Sequence, residues 1–557
     1  MRVPHSAAFA REIRVSPAAA VPAGCMRTAA RATTNVHRPA TFRLCIVVLL
    51  LGVALTVSAQ APPDLGGLDA YFTRALTDWE VPGMAVAIVK DGRVVLEKGY
   101  GVRERGKPGH VDERTLFAIA SNTKAFTAAA VAALVDQQKV GWDEPVREYL
   151  PRFELQDPFA SADLRVRDLL SHRSGLGTFS GDLLWYNTSF DVDDVLRRAR
   201  YLQPRSPFRT AYGYSNVMFL AAGQVVAAAS GTAWDAFVQA HFLDPLGMKD
   251  TLTSVRAVPG RENVATPHGP VGTGSRPYPW YDSQAGGAAG GLVSSAHDMS
   301  RWLLLQLGRG TLDGRQYFSD EQARTMWTPH VSLTISRESE TASPTTHFSA
   351  YGLGWMLRDY HGRLIASHGG GLDGMYSAVA IVPDERLGIV VLTNAMTSIG
   401  DALVMSVIDA YVSRSRSAGL PARDWSAEGL ERARAQQRTR VARVANVRQV
   451  RVPGTKPSLP IQQYAGRYTG RFYGDAVVTL ERGTLVMRLL ANPQLVADLT
   501  HLQLDTFVLA WRHDFPWFSE GTAQFILDKE AQVAELKLDV PNEDFWFDEI
   551  DLRKVAP

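Results

Sequence analysis

The sequence predicts an α+β fold in which an antiparallel sheet is flanked by helices and carries a helical lobe, followed by an all-β C-terminal unit. Three observations lead there. Strand-like runs in hairpin spacing stand near both ends of the stretch 65–412, and the segment between them is mainly helical in pattern. After Pro460 the pattern changes to short β-like runs separated by turn residues.

The N-terminus is set aside first. Leu44 to Ala59 is an apolar run preceded by Arg38 and Arg43 and ending in Ala59-Gln60-Ala61, the pattern of a secretory signal with a small-residue cleavage site. A membrane anchor would need ~20 apolar residues, and the run is shorter. Residues 1–61 are therefore expected to be a presequence, with Met26 an alternative start, and the mature protein is expected in the periplasm or outside the cell. Cys25 and Cys45, the only cysteines, both fall in it, so the mature chain is expected to hold no disulfide and no thiol nucleophile. The presequence holds seven arginines and one glutamate, which turns the formal net charge of +2 into about −4 for the remainder. Nothing in that balance points to nucleic acid or an anionic membrane as a partner.

Met84 to Lys90 and Val94 to Tyr100 are strand-like runs joined across Asp91-Gly92, a strong hairpin signal. Tyr376 to Val382 and Leu387 to Thr393 form a second hairpin around Pro383-Asp384-Glu385-Arg386, and Ile399 to Val412 reads as a closing helix. Phe117 to about Val238 is helical in pattern, broken by Ser-, Gly-, Asp- and Pro-rich loops. The polar Ser332–Thr346 stretch reads as a surface loop. Residues 413–460 form an arginine-rich linker, in which Glu431 to Ala445 suits a helix with a solvated basic face. In 461–557 the runs Ala476–Leu480, Leu485–Leu489, Thr506–Trp511 and Thr522–Leu527 predict a barrel or sandwich that folds by itself and takes no part in catalysis. Its aromatics Trp511, Phe515, Trp517, Phe518, Phe545, Trp546 and Phe547 are expected to pack its core.

Ser121-Asn122-Thr123-Lys124 stands where a loop turns into a helix. Upstream is the apolar Leu116–Ala120, and downstream Ala125–Leu134 has no Gly or Pro. Lys124 is the only lysine of the chain with a serine three residues before it. At i and i+3 the two side chains share a helical face, which places an amine beside a hydroxyl at the positive end of the helix dipole. That arrangement activates a weak nucleophile without histidine. The alternative is a capping serine and a solvated lysine.

Two further clusters decide between these. Tyr214-Ser215-Asn216 precedes the helix-compatible Val217–Gly223, and His368-Gly369-Gly370-Gly371 follows the strand-like Arg363–Ser367. In this order, with Ser121-x-x-Lys124, they resemble the three motifs of the penicillin-recognising serine hydrolases, which include class C β-lactamases, D-alanyl-D-alanine carboxypeptidases and related esterases and peptidases. Asp168–Leu176, Ala289–Ser295 and Ile389–Asn394 match accessory stretches of that family, and the resemblance spans Leu65 to Val412. Ile461 to Lys554 is similar to a small β-barrel domain of unknown function often appended to it. The resemblance implies a β-lactamase/transpeptidase-like fold with the site between sheet and helical lobe.

In this reading Ser121 attacks a carbonyl carbon to form an acyl-enzyme, and Lys124 and Tyr214 jointly supply the base. Lys124 can accept a proton only if its pKa falls well below ~10.4, and Tyr214 only as a phenolate. Asn216 offers an amide to the substrate and to Lys124. The Ser121 N–H is one oxyanion donor, and the resemblance places the second at Gly371. His368, Gly369 and Gly370 are expected to bind substrate. Lactamases of the family carry lysine where His368 stands and Thr or Ser where Gly369 stands. This departure favours esters or peptides, including those with D-residues, over β-lactams. The alternatives are a β-lactamase or D-alanyl-D-alanine carboxypeptidase, and a protein that binds penicillin or peptidoglycan fragments without turnover. Tyr212 and His172 are expected to be structural, and Asp168 to cap or pair locally. The histidines show no metal-binding spacing, so neither metal nor cofactor is expected, and the partner is a small-molecule or short-peptide substrate.

Overall fold

The computed structural model describes residues 65–269, 275–281, 285–412, 423–449 and 451–556. The expected signal segment, with Cys25 and Cys45, lies outside them. Eight antiparallel strands form the main sheet in the order Arg93–Gly101, Gly83–Lys90, Leu387–Thr393, Met375–Val382, Arg363–Leu372, Met356–Tyr360, Ser349–Tyr351 and Val331–Ser332. Both predicted hairpins are present. Asp91 (φ 53°) and Gly92 (φ 75°) make the first turn, and Arg386 (φ 46°) closes the second. Because side chains alternate along a strand, the sheet buries both faces. Met84, Val86 and Ile88 join Phe72 of the Leu65–Asp78 helix and Leu403 of the Ile399–Val412 helix. Ala85, Ala87 and Val89 join Met299, Trp302 and Leu303 of the Ala296–Leu307 helix.

The helical lobe is built around the Thr123–Asp136 helix, in which every residue from Thr123 to Leu134 is buried. Its alanine run favours the helix and lets neighbours approach closely. Phe126 stacks on Trp302 with ring centroids 3.6 Å apart. The Asn216–Ser230 helix packs beside it and is capped by Ser215, whose Oγ accepts from Met218 N.

The strand signalled at Arg363–Ser367 runs on through His368 and the glycine triplet to Leu372, with Gly369, Gly370 and Gly371 paired to Ala378, Ser377 and Tyr376. Glycine is required there by close approach: a Cβ on Gly370 would lie 2.3 Å from Ile119 O and 2.9 Å from Ser121 N. Three expectations need correction. The Ser332–Thr346 stretch holds a short exposed helix, Arg337–Ala342, capped by Ser336. The linker helix is longer than predicted, Trp425–Gln449, and its basic face is not merely solvated. Arg440 donates to Pro516 O at 2.8 Å, Arg443 pairs with Glu543 at 3.3 Å, and Arg448 pairs with Glu520. These partners are partly exposed, so each pair contributes about 0–1 kcal/mol.

The third correction concerns the C-terminal unit. It is a closed eight-stranded barrel, Gly466–Thr469 pairing with Leu552–Lys554 to complete the ring. Tyr464, Phe507 and Phe525 fill one end with ring centroids 5.0–5.5 Å apart. The barrel is not a bystander, however. Its other end docks on the helical lobe, where Glu549 accepts from Ser180 Oγ and, at 2.9 Å, from Gly181 N. Trp511, Phe515, Phe518 and Phe547 pack among themselves as expected, whereas Trp517 and Phe545 line the cleft between sheet and helical lobe. Strand signals and a Pro-rich linker locate such a unit but carry no information about which of its loops faces a neighbour.

Gly370→Ala should lower stability by about 1–3 kcal/mol through overpacking against Ile119 O. A shifted denaturant midpoint at unchanged slope checks this, and an unshifted midpoint contradicts the required close approach.

Candidate functional site

The Ser121 turn is a 3₁₀ segment, Ala120–Asn122, leading into the Thr123–Asp136 helix. No side chain caps that helix, so Ser121 is not a capping serine. Ala120 takes φ 44°, a left-handed conformation costly for a residue with a Cβ. The strain is held by packing: Gly290 abuts Ala120, Asn122 Nδ2 donates to Ser377 Oγ at 2.7 Å, and Ser377 Oγ donates to Ile119 O at 2.7 Å.

Lys124 is wholly buried. Its Nζ lies 3.0 Å from Ser121 Oγ, 2.6 Å from Asn216 Oδ1 and 2.8 Å from Ala289 O. A carbonyl oxygen only accepts, so two of these contacts require N–H from the amine, while the third faces a hydroxyl that can also donate. A neutral amine, with two N–H bonds and one lone pair, satisfies all three. Burial pushes Lys124 down to about 7, with the nearby charge of Asp182 opposing.

Tyr214 reaches the site because the 172–178 loop grips the segment before the Asn216–Ser230 helix. Gly213 N donates to His172 O at 2.8 Å, Phe179 N to Tyr214 O at 2.7 Å, and Ser215 N to His172 Nδ1 at 3.0 Å. His172 is thus the structural hydrogen-bonder expected, at φ 57°. Behind this loop, buried Asp168 caps its own turn through Arg165 N and receives Arg173 Nε at 2.6 Å and Arg209 Nη2 at 2.6 Å. Asp168 therefore pairs across 41 residues, as well as locally. The Tyr214 hydroxyl meets Ser121, and burial pushes its pKa well above 10, which keeps it a phenol. Lys124 Nζ lies 4.8 Å from its ring centroid. Tyr212 packs edge-on against His172 at 5.6 Å, away from the hydrogen bonds of Ser121.

His368 is buried on the central strand, its Nε2 2.9 Å from Tyr351 Oη and its Nδ1 2.6 Å from Gly369 O. The carbonyl requires Nδ1–H, so Nε2 accepts from the tyrosine. Burial, and then the Lys124 charge, push its pKa down to about 3, so it is neutral at pH 7. Ser121, Tyr214, Asn216, His368, Gly369 and Gly371 all border one cleft of about 330 Å³. Gly370 lies beneath it, against Ile119 and Ser121. The structure thus gathers all eight predicted site residues.

Sequence reasoning missed the rest of the cleft. Asp182, nearly inaccessible, accepts from Asn216 Nδ2 at 2.6 Å and Trp185 Nε1 at 2.9 Å. Burial pushes it up to about 8. Trp185 and Tyr186 add an aromatic wall that the barrel's Trp517, Asp544 and Phe545 complete. Nothing in local spacing marks these residues. Among the described residues bordering the cleft, none carries a guanidinium.

A family model described as Beta-lactamase matches residues 68–412, and one described as a domain of unknown function (DUF3471) matches residues 450–554. Unguisins hydrolase ungD of Aspergillus violaceofuscus is 30% identical over 506 residues, 85% of this chain and 86% of that protein. Penicillin-binding protein 4 of Amycolatopsis lactamdurans is 29% identical over 344 residues, 60% of this chain and 86% of that protein. Among solved structures, the octameric penicillin-binding protein homologue from Pyrococcus abyssi aligns with TM-score 0.55 at 20% identity, over 88% of this chain and 100% of that one. The D-amino acid amidase of Ochrobactrum anthropi SV3, complexed with L-phenylalanine amide, aligns with TM-score 0.51 at 22% identity, over 63% and 100%. At those identities the two structures speak for the fold alone. The family model and the fungal relative, matched over 86% of its length, carry more, and on their strength this chain belongs to the Beta-lactamase family.

Proposed function

We propose that this protein is an exported serine hydrolase that forms an acyl-enzyme on Ser121 and cleaves esters or amide bonds, including peptide bonds of D-residues, in preference to β-lactams. The observation that carries the reading is the wholly buried Lys124 amine, 3.0 Å from Ser121 Oγ, with its two N–H bonds directed to oxygens that only accept. The lone pair then faces the hydroxyl, and Lys124 takes the Oγ proton as Ser121 attacks the carbonyl carbon. Tyr214, held as a phenol, gives its proton to the leaving group instead of serving as the base and regains one from the Lys124 ammonium, which returns the amine to its neutral form. The Ser121 and Gly371 N–H groups receive the oxyanion, and water hydrolyses the acyl-enzyme with Lys124 again as base. The fungal relative named as a hydrolase of unguisins supports hydrolysis as the chemistry.

Disfavour for β-lactams and D-alanyl-D-alanine carboxypeptidase substrates rests on charge. Such substrates present a carboxylate, and His368 is neutral, bound to Tyr351 and Gly369 O. A non-turnover binder is disfavoured by the complete Ser121, Lys124 and Tyr214 set.

Ser121→Ala should abolish turnover of every substrate while leaving the fold intact. Activity within tenfold of wild type would contradict the assignment. Lys124→Ala and Tyr214→Phe should each cost on the order of 10²-fold or more. Their double variant should lose far less than the product of the two, which multiplicative losses would contradict.

Because the active form carries neutral Lys124, kcat/KM should rise with pH through about 7 as the ammonium loses its proton. Tyr214→Phe should keep that limb. A profile flat from pH 5 to 9, or a limb above 9, would contradict Lys124 as base.

A further inference from the structure

The barrel contributes a carboxylate to the catalytic cleft that nothing in the acylation chemistry uses. Asp544 borders the cleft from the turn Asn542–Phe545. That turn is tied tightly: Asn542 Oδ1 accepts from Asp544 N at 3.0 Å and Phe545 N at 2.6 Å, while Asn542 Nδ2 donates to Val540 O at 2.7 Å and Phe545 O at 2.8 Å. Phe545 is buried, its ring centroid 4.4 Å from that of Tyr186. Glu549 clamps the same end of the barrel to Ser180 and Gly181, next to Asp182. The position of Asp544 is therefore set by packing and hydrogen bonds on both sides.

Asp544 differs from the other carboxylates of the region. Asp182 is held by Asn216 and Trp185, and Asp373 by Tyr186 Oη at 3.0 Å and Trp517 Nε1. No donor among the described residues reaches the Asp544 carboxylate. Arg440, whose charge acts on it, directs its Nη2 to the carbonyls of Pro516 and Trp517. Burial, and then repulsion from Glu543, push Asp544 up to about 6, which still leaves it ionised at pH 7.5. A half-buried carboxylate without a donor is costly unless something cationic meets it. The surrounding walls are apolar and aromatic, from Trp185, Tyr186, Trp517 and Phe545, and aromatic faces also favour a cation.

We propose that Asp544 anchors a protonated α-amine on the acyl part of the substrate, with the aromatic wall taking that residue's side chain. The enzyme then acts on aminoacyl esters and amides, and on the first peptide bond of a chain with a free N-terminus. This inference rests on the hydrolase reading above and narrows its substrate class. An α-ammonium in the cleft also disfavours the charged form of Lys124, which keeps the base neutral as the substrate arrives. The barrel thereby acts as a specificity element, although it supplies no reacting group.

The test compares p-nitrophenyl esters of L- and D-phenylalanine with their N-acetyl counterparts at pH 7.5, using the full mature chain. Wild type should prefer the free amine at least tenfold in kcat/KM for one or both enantiomers, and Asp544→Asn should reduce that ratio at least tenfold. A second measurement needs no variant: 2-phenylethylamine should inhibit wild type at least tenfold more tightly than 2-phenylethanol. A ratio near one in either comparison, or a preference that survives in folded Asp544→Asn, overturns the anchor. Fluorophosphonate labelling of Ser121 separates the two levels of the account. Labelling and N-acetyl ester turnover without an amine preference overturn the anchor alone, whereas no labelling and no ester turnover overturn the hydrolase reading and the anchor with it.

Discussion

An amine buried without a counter-ion in contact is the constraint around which the site is arranged. Lys124 is enclosed in a helix that is apolar on nearly all sides, and its Nζ has three oxygens within 3.0 Å. Each oxygen comes from a different element: the Ser121 turn, the Asn216–Ser230 helix and the short Gly287–Gly290 helix. Asn216 in turn donates to Asp182, so the amine is linked through one amide to a buried acid. Moving any of these elements would leave a buried polar group unpaired, at a cost of about 1–3 kcal/mol.

That arrangement opposes stability, and the direction follows from linkage. Folding lowers the Lys124 pKa from 10.5 to about 7, so above pH 7 the unfolded chain binds more protons than the native one. Stability contributed through this residue therefore rises with pH between about 7 and 10.5, and the penalty is full below 7. The left-handed Ala120 adds a further cost at the nucleophile itself. Both are offset by the apolar packing on the two faces of the sheet and around the Thr123–Asp136 helix.

The sequence revealed what depends on short-range pattern. The Asp91-Gly92 hairpin, the Ile399–Val412 helix and the Ser121/Lys124 pair all follow from residue type at close spacing, and Tyr214, Asn216 and His368–Gly371 from motif order. The need for glycine at Gly370 was not legible, because it comes from Ile119 O and Ser121 N approaching from another element. Asp182 and Asp544 were invisible for a related reason. A lone aspartate has no local signature, and its role comes from burial and from neighbours that the fold brings in, Asn216 for Asp182 and the Trp185 and Tyr186 wall for Asp544. The arginines of the linker helix looked like a solvated face because their partners, Pro516, Glu520 and Glu543, lie in the barrel.

The most direct test of a buried neutral amine is to titrate it. In protein carrying ¹³Cε-labelled lysine, the Lys124 resonance can be assigned by its loss in Lys124→Ala and followed by NMR from pH 5 to 11. The midpoint should fall near 7, well below the ~10.4 of an unperturbed lysine. A Lys124 midpoint above 10 would mean that the amine stays an ammonium throughout the working range, and would contradict its role as the base for Ser121.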